Sequence, residues 1–235
     1  MPGEATSTCW SCGTMRAVHF CGACGKVQPP VPVDYFTFFG LPRKLNIDVA
    51  KLEREFHQLS RKLHPDLYAR AEAQEQEWSL QQSSQLNDAY RTLKDPIRRT
   101  QYLLRLEGVE LEEQSKSATD EARQSGQLKK QVVPPDLLEE VFELNMQLEE
   151  LGANKKLGED DPNLTQELQQ KKAEFEHKFD GLFEELKAYW NEWDKAIDSG
   201  TEEERVNVRD KMVDLLNRRN YIRNLVRDVN EALGT

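Results

Sequence analysis

The chain has 235 residues, 37% of them hydrophobic and 31% charged, with a formal net charge of −10. That length allows one large or two small domains with a minor appendage, and so acidic a balance disfavours nucleic acid and anionic membranes as partners. No segment approaches the roughly 20 consecutive apolar residues of a membrane span. The N-terminal MPGEATSTCW has neither an Arg-rich amphipathic pattern nor an apolar signal core, so a cytoplasmic protein is expected. β-branched runs are scarce and apolar residues return every three or four positions, which predicts an all-α fold.

The four cysteines all fall early in the chain, as Cys9-x2-Cys12 and Cys21-x2-Cys24, each pair followed by a glycine, Gly13 and Gly25. A CxxC turn points two sulfurs at one centre, and two such knuckles supply the tetrahedral four-sulfur shell of a structural metal. One zinc ion in a small zinc-ribbon-like module is expected, with Cys9, Cys12, Cys21 and Cys24 as its ligands. Iron fits the same shell, and two disulfides are the alternative that a reducing compartment disfavours. So short a segment has little core, so the metal would supply most of its folding free energy. No βαβ pattern surrounds either CxxC, which argues against a thioredoxin-type redox role. His19 is expected to be a surface bystander. Only Arg16 and Lys26 are basic here, which favours a structural or protein-docking role over nucleic-acid contact.

A proline-rich joint, Gln28 to Pro32, precedes the next region. In Asp48–Leu63 the residues Val49, Leu52, Phe56, Leu59 and Leu63 form one apolar stripe, with Lys51, Arg54, Arg61 and Lys62 opposite. Pro65 disfavours helix at the residue before it, so this helix should end near Leu63. A second helix is predicted from Glu72 to Leu93, with Leu86, Ala89, Tyr90 and Leu93 facing back. His64-Pro65-Asp66 then sits at the tip of a helical hairpin.

That hairpin, with Tyr35-Phe36-Thr37-Phe38-Phe39-Gly40-Leu41-Pro42 before it and Lys94-Asp95-Pro96, Arg99 and Tyr102-Leu103-Leu104 after it, resembles a J domain over about Asp34 to Leu106. The resemblance implies mechanism by contact. His64, Pro65 and Asp66, supported by Arg61 and Lys62, would dock on a DnaK-type chaperone and promote its ATP hydrolysis. Glu53 and Glu55 interrupt the basic face usual in that family.

A polar segment over 109–131 reads as a linker. Beyond Pro134 and Pro135 three helices are predicted. The first ends at Gly152. The second starts with Asp161 as cap and Pro162 at its first position, and closes at Gly200. The third opens with the capping box Thr201/Glu204 and stops at Gly234. Their inner stripes are Leu137, Val141, Leu144, Leu148, Leu151; Phe175, Phe179, Leu182, Leu186, Tyr189, Trp193; and Val208, Met212, Leu215, Ile222, Val226, Val229, Leu233. Three such stripes make a three-helix bundle. Leu138, Phe142 and Met146 follow a different line on the first helix. Periodicity alone leaves them as a partner site, a wide core face or a contact with the J domain.

A J domain followed by an acidic three-helix bundle is similar to the HscB-type co-chaperones of iron–sulfur cluster assembly, and Leu138-Glu139-Glu140-Val141-Phe142-Glu143-Leu144 matches their scaffold-binding helix. The N-terminal cysteines resemble the metal module that some members carry. The resemblance implies that Leu138, Phe142, Glu143, Met146 and Tyr221 grip an IscU-type scaffold and present it to an HscA-type chaperone. Glu139 stands where an apolar residue is usual, and Met146 where an acidic one is common. The expected organisation is a metal module over 1–28, a J domain over 33–108, the linker, and a client-binding bundle over 132–235. No catalytic residue is expected, because no Ser/His/Asp set, P-loop or dinucleotide turn is present. A general folding co-chaperone, or a zinc-ribbon nucleic-acid-associated protein, is the alternative.

Overall fold

The computed structural model describes residues 8–14, 18–109 and 133–234. The chain divides into two compact units, Met1–Gly108 and Val109–Thr235. The predicted linker lies, but for its first residue, outside the described residues. Phe20 and Val27 form an antiparallel bridge, and every named element among the described residues is helical.

In the first unit α1 spans Tyr35–Phe38, α2 Val49–Leu63, α3 Ala73–Lys94 and α4 Pro96–Leu106. Aspartates start three of them. Asp34, Asp48 and Asp95 accept from the amides of Thr37, Lys51 and Arg98 at 3.0, 2.9 and 2.8 Å, covering donors that a helix start leaves unpaired. Pro96 occupies the first position of α4, where its missing N–H costs nothing. α2 and α3 pack through Leu52, Leu63, Leu86, Ala89 and Leu93, all buried. Phe56 stacks on Tyr90 with ring centroids 4.1 Å apart. The chain leaves α2 at Leu63, as the proline rule requires, and makes a 3-10 turn over Pro65–Tyr68 before α3.

In the second unit a 3-10 turn, Pro135–Leu137, leads into α5 (Leu138–Leu157), followed by α6 (Pro162–Ser199) and α7 (Glu202–Leu233). Most of the inner-stripe residues point inward: Leu137, Leu144, Leu186, Trp193, Met212, Ile222 and Val229 are fully or almost fully buried, while Leu148, Phe179, Tyr189, Val226 and Leu233 are only partly so. Asp161 caps α6 through the amides of Asn163 and Leu164, and Thr201 with Glu204 closes a capping box on α7.

Gly152 is not a helix end. α5 runs through it to Gly158, which turns left-handed at φ 74° and whose region returns amides to the carbonyls of Asn154 and Lys155. A mid-helix glycine costs only about 1 kcal/mol against alanine, and in the turn that follows it Lys155 donates to the Ala232 carbonyl of α7 at 2.5 Å.

Candidate functional site

The tripeptide His64-Pro65-Asp66 closes on itself at the hairpin tip. His64 Nδ1 accepts from the Asp66 amide at 3.3 Å, and the Leu67 amide donates to the His64 carbonyl at 3.0 Å. Pro65 fixes the turn at its first position. The side chains remain available: Asp66 is 89% exposed and His64 55%. Behind them the end of α2 is tied down. The Leu63 carbonyl, orphaned by the helix terminus, accepts from Ser79 Oγ at 2.7 Å and from Ser83 Oγ at 2.8 Å. Tyr68 Oη donates to the Lys62 carbonyl at 3.1 Å. Arg61 and Lys62 are exposed in the last turn of α2, where cations complement the helix dipole. Glu53 is engaged inside the hairpin by the Tyr90 hydroxyl at 3.0 Å and by Lys94.

Cys9, Cys12, Cys21 and Cys24 converge, with all four sulfurs within 4.8 Å of one another. Cys9 and Cys24 lie 3.6 Å apart and Cys12 and Cys21 3.5 Å apart. Those separations are far beyond the roughly 2.05 Å of a disulfide. They match the ~3.8 Å between sulfurs held tetrahedrally at about 2.3 Å from one ion. The donor set therefore fits a single four-coordinate metal. Gly13 and Gly25 adopt φ 72° and 71°, the left-handed turn that lets each knuckle fold under its sulfurs.

Amides of Ser11 and Ala23 point at Cys9 and Cys21, each at 3.4 Å, and Gln28 Nε2 donates to Cys9 at 3.3 Å. The Thr14 hydroxyl, then the Cys24 and Ala23 amides, hold Cys21 down at about 6. Burial opposes the Cys9 thiolate, but the Cys12 and Ser11 amides and Gln28 outweigh it and lower its pKa. The Lys26 amide favours the Cys24 thiolate, yet burial and the neighbouring sulfurs push that thiol up to about 11.

On α5, Leu138, Phe142 and Met146 are 54%, 65% and 55% exposed and form an apolar line away from the core. Beside them Glu143 accepts from Lys171 at 3.1 Å while half its side chain stays open. Tyr221 departs from expectation. It is 6% exposed within the bundle, where burial raises its pKa, so its ring belongs to the core and not to the apolar line.

Residues 34–102 match the DnaJ domain family. The chain is 31% identical over 185 residues to "Iron-sulfur cluster co-chaperone protein HscB homolog" of Arabidopsis thaliana, covering 78% of this chain and 66% of that protein. The chain belongs to the HscB family. HscB of Mus musculus is 40% identical over 111 residues, or 45% of this chain and 47% of the mouse protein. The chain thus spans between about half and two thirds of these HscB relatives. The crystal structure of human co-chaperone protein HscB matches in fold over 95% of this chain and 97% of that one, with a TM-score of 0.59 at 23% identity. Among the described residues no helix is long and apolar enough to cross a membrane.

Sequence reasoning missed how the cysteine module attaches to the J domain. His19, expected to be a bystander, reaches Gln82 Oε1 through Nδ1 and donates from Nε2 to the Phe38 carbonyl, both at 2.9 Å. Gln82 Nε2 donates to the Gln28 carbonyl at 2.6 Å. Lys26 donates to both carboxylate oxygens of Glu75 at 2.9 Å, and Trp10 meets Trp78 edge to face at 5.5 Å. The available signal was three polar residues on α3, Glu75, Ser79 and Gln82, placed on the same face as Trp78 and Leu86.

Proposed function

We propose that this HscB-type chain is a co-chaperone that stimulates the ATPase of an HscA/DnaK-type chaperone and delivers an IscU-type scaffold protein to it, in support of iron–sulfur protein maturation. The observation that carries the reading is the exposed His64-Pro65-Asp66 loop at the tip of a family-matched J domain. Asp66 presents a carboxylate to a chaperone arginine, a charge-assisted bond worth about tenfold or more in affinity. Pro65 holds the loop's shape, His64 supplies the imidazole contact, and Arg61 and Lys62 steer an acidic partner surface. The chain performs no chemistry itself, since it acts by changing the partner's conformation.

Leu138, Phe142 and Met146 form the client grip, with Glu143 as its polar rim. Three large apolar side chains, each more than half exposed, have a reason to stay in water only if a partner covers them. The metal at the four cysteines is one structural zinc, which shapes the module and needs no open coordination position. Titrating the chain calorimetrically with an IscU-type scaffold tests the client reading. Binding at micromolar concentrations that is weakened at least tenfold by Phe142→Ala is expected, and no heat at tens of micromolar would refute it. For the chaperone, Asp66→Asn should abolish capture of the ATP-bound form while leaving scaffold binding unchanged.

A further inference from the structure

We propose that the four-cysteine module is a brace for the His64-Pro65-Asp66 loop, with α3 as the beam that joins them. The first half of α3 carries both attachments. Toward the module it presents Glu75, Trp78 and Gln82, which take Lys26, Trp10, and the Gln28 carbonyl with His19. Toward the loop it presents Ser79 and Ser83, whose hydroxyls both hold the carbonyl immediately before His64. Ser79 lies between Trp78 and Gln82 in that buried turn, so the two attachments cannot move independently.

Packing makes the same connection. Val27 of the module, Leu63 at the end of α2, and Trp78 belong to one hydrophobic cluster, and Phe20 and Tyr68 pack against it. Tyr68 ends the 3-10 turn that contains the loop and ties back to the Lys62 carbonyl. Glu75 is 3% exposed, and Lys26 is the cation that answers its charge. If the module unfolds, a buried carboxylate loses its partner, Gln82 loses the Gln28 carbonyl and His19, and Trp78 loses its cover. Each loss falls on the turn that bears Ser79. A segment of this size holds its shape through its metal, so metal loading sets how firmly the loop is presented.

The consequence for a chaperone rests on the reading of the loop given above, but the brace itself does not. Hydrogen exchange read by mass spectrometry on the full chain tests it, comparing zinc-loaded protein with protein stripped by a chelator under reducing conditions. Stripping should speed exchange in Asp66–Tyr68 and in the first half of α3 by about tenfold or more, with α4 and α7 unchanged. Zinc-loaded Ser79→Ala/Ser83→Ala should loosen the loop alone, with zinc content and module exchange kept, and Ser79→Thr with Ser83→Thr should restore it. A stripped protein whose module exchanges freely while the loop keeps its loaded rate would overturn the proposal. So would equal acceleration across α2, α3 and α4, which would make the module a general stabiliser. His64→Gln in an ATPase assay reports on the loop's role separately, so either claim can fail alone.

Discussion

Leu144 and Phe142 stand two residues apart on α5 and face opposite fates. Leu144 is fully buried, so Leu144→Ala should cost about 2–5 kcal/mol in unfolding free energy measured by urea titration. Phe142 projects into solvent, and Phe142→Ala should leave stability within about 0.5 kcal/mol while weakening scaffold binding. A large loss of stability in the second variant would mean that the ring is packed and the apolar line is not a docking surface. At Asp34, burial works against the carboxylate, but the Thr37 amide, Arg43 and the Thr37 hydroxyl together hold its pKa below the ordinary value. A depressed folded pKa adds stability that is fully present above the unfolded value of about 4 and disappears as pH falls through the folded one. Asp34→Asn should therefore flatten the acid limb of the stability profile below about pH 4 relative to wild type. Residue-scale reading failed where partners lie far apart in the chain. His19 meets Gln82, 63 positions on, and nothing near His19 announces that bond.

Helix ends were legible where backbone chemistry is local. Pro65 stops α2, Asp161 and Pro162 start α6, and Thr201 with Glu204 starts α7, each through atoms within three or four residues. Gly152 misled because glycine permits a helix end without compelling one. The physical difference between Gly152 and Gly158 is the backbone angle: only Gly158 adopts positive φ. Gly152→Ala, with open space around the added methyl, should stabilise the second unit by up to about 1 kcal/mol. Gly158→Ala should destabilise it by about 1 kcal/mol, because a left-handed cap excludes the new side chain. Thermal melts of the two variants give the signs, and matching signs would contradict the assignment of the α5 terminus.

At the scale of the whole molecule, the hairpin and bundle followed from apolar periodicity, because each helix must bury one stripe. Periodicity could not separate an exposed stripe from a wide core face on α5, and only burial did so. The family resemblance counted Tyr221 in the scaffold grip, although the last helix is long enough to bury residues on more than one line and Tyr221 is one of those it buries. The cysteine spacing predicted that four sulfurs meet at one centre, as they do, but not the surface the module rests on, since attachment depends on side chains from α3. On the proposed function two activities meet in one chain: the loop would act on the chaperone, and α5 would bring it the scaffold. Single-turnover ATP hydrolysis by a DnaK-type chaperone, with and without an IscU-type scaffold, measures both together. The wild-type chain should accelerate hydrolysis, and scaffold should raise the rate further. Phe142→Ala should lose only the scaffold-dependent part, and His64→Gln should lose both. Undiminished stimulation by His64→Gln would contradict the account.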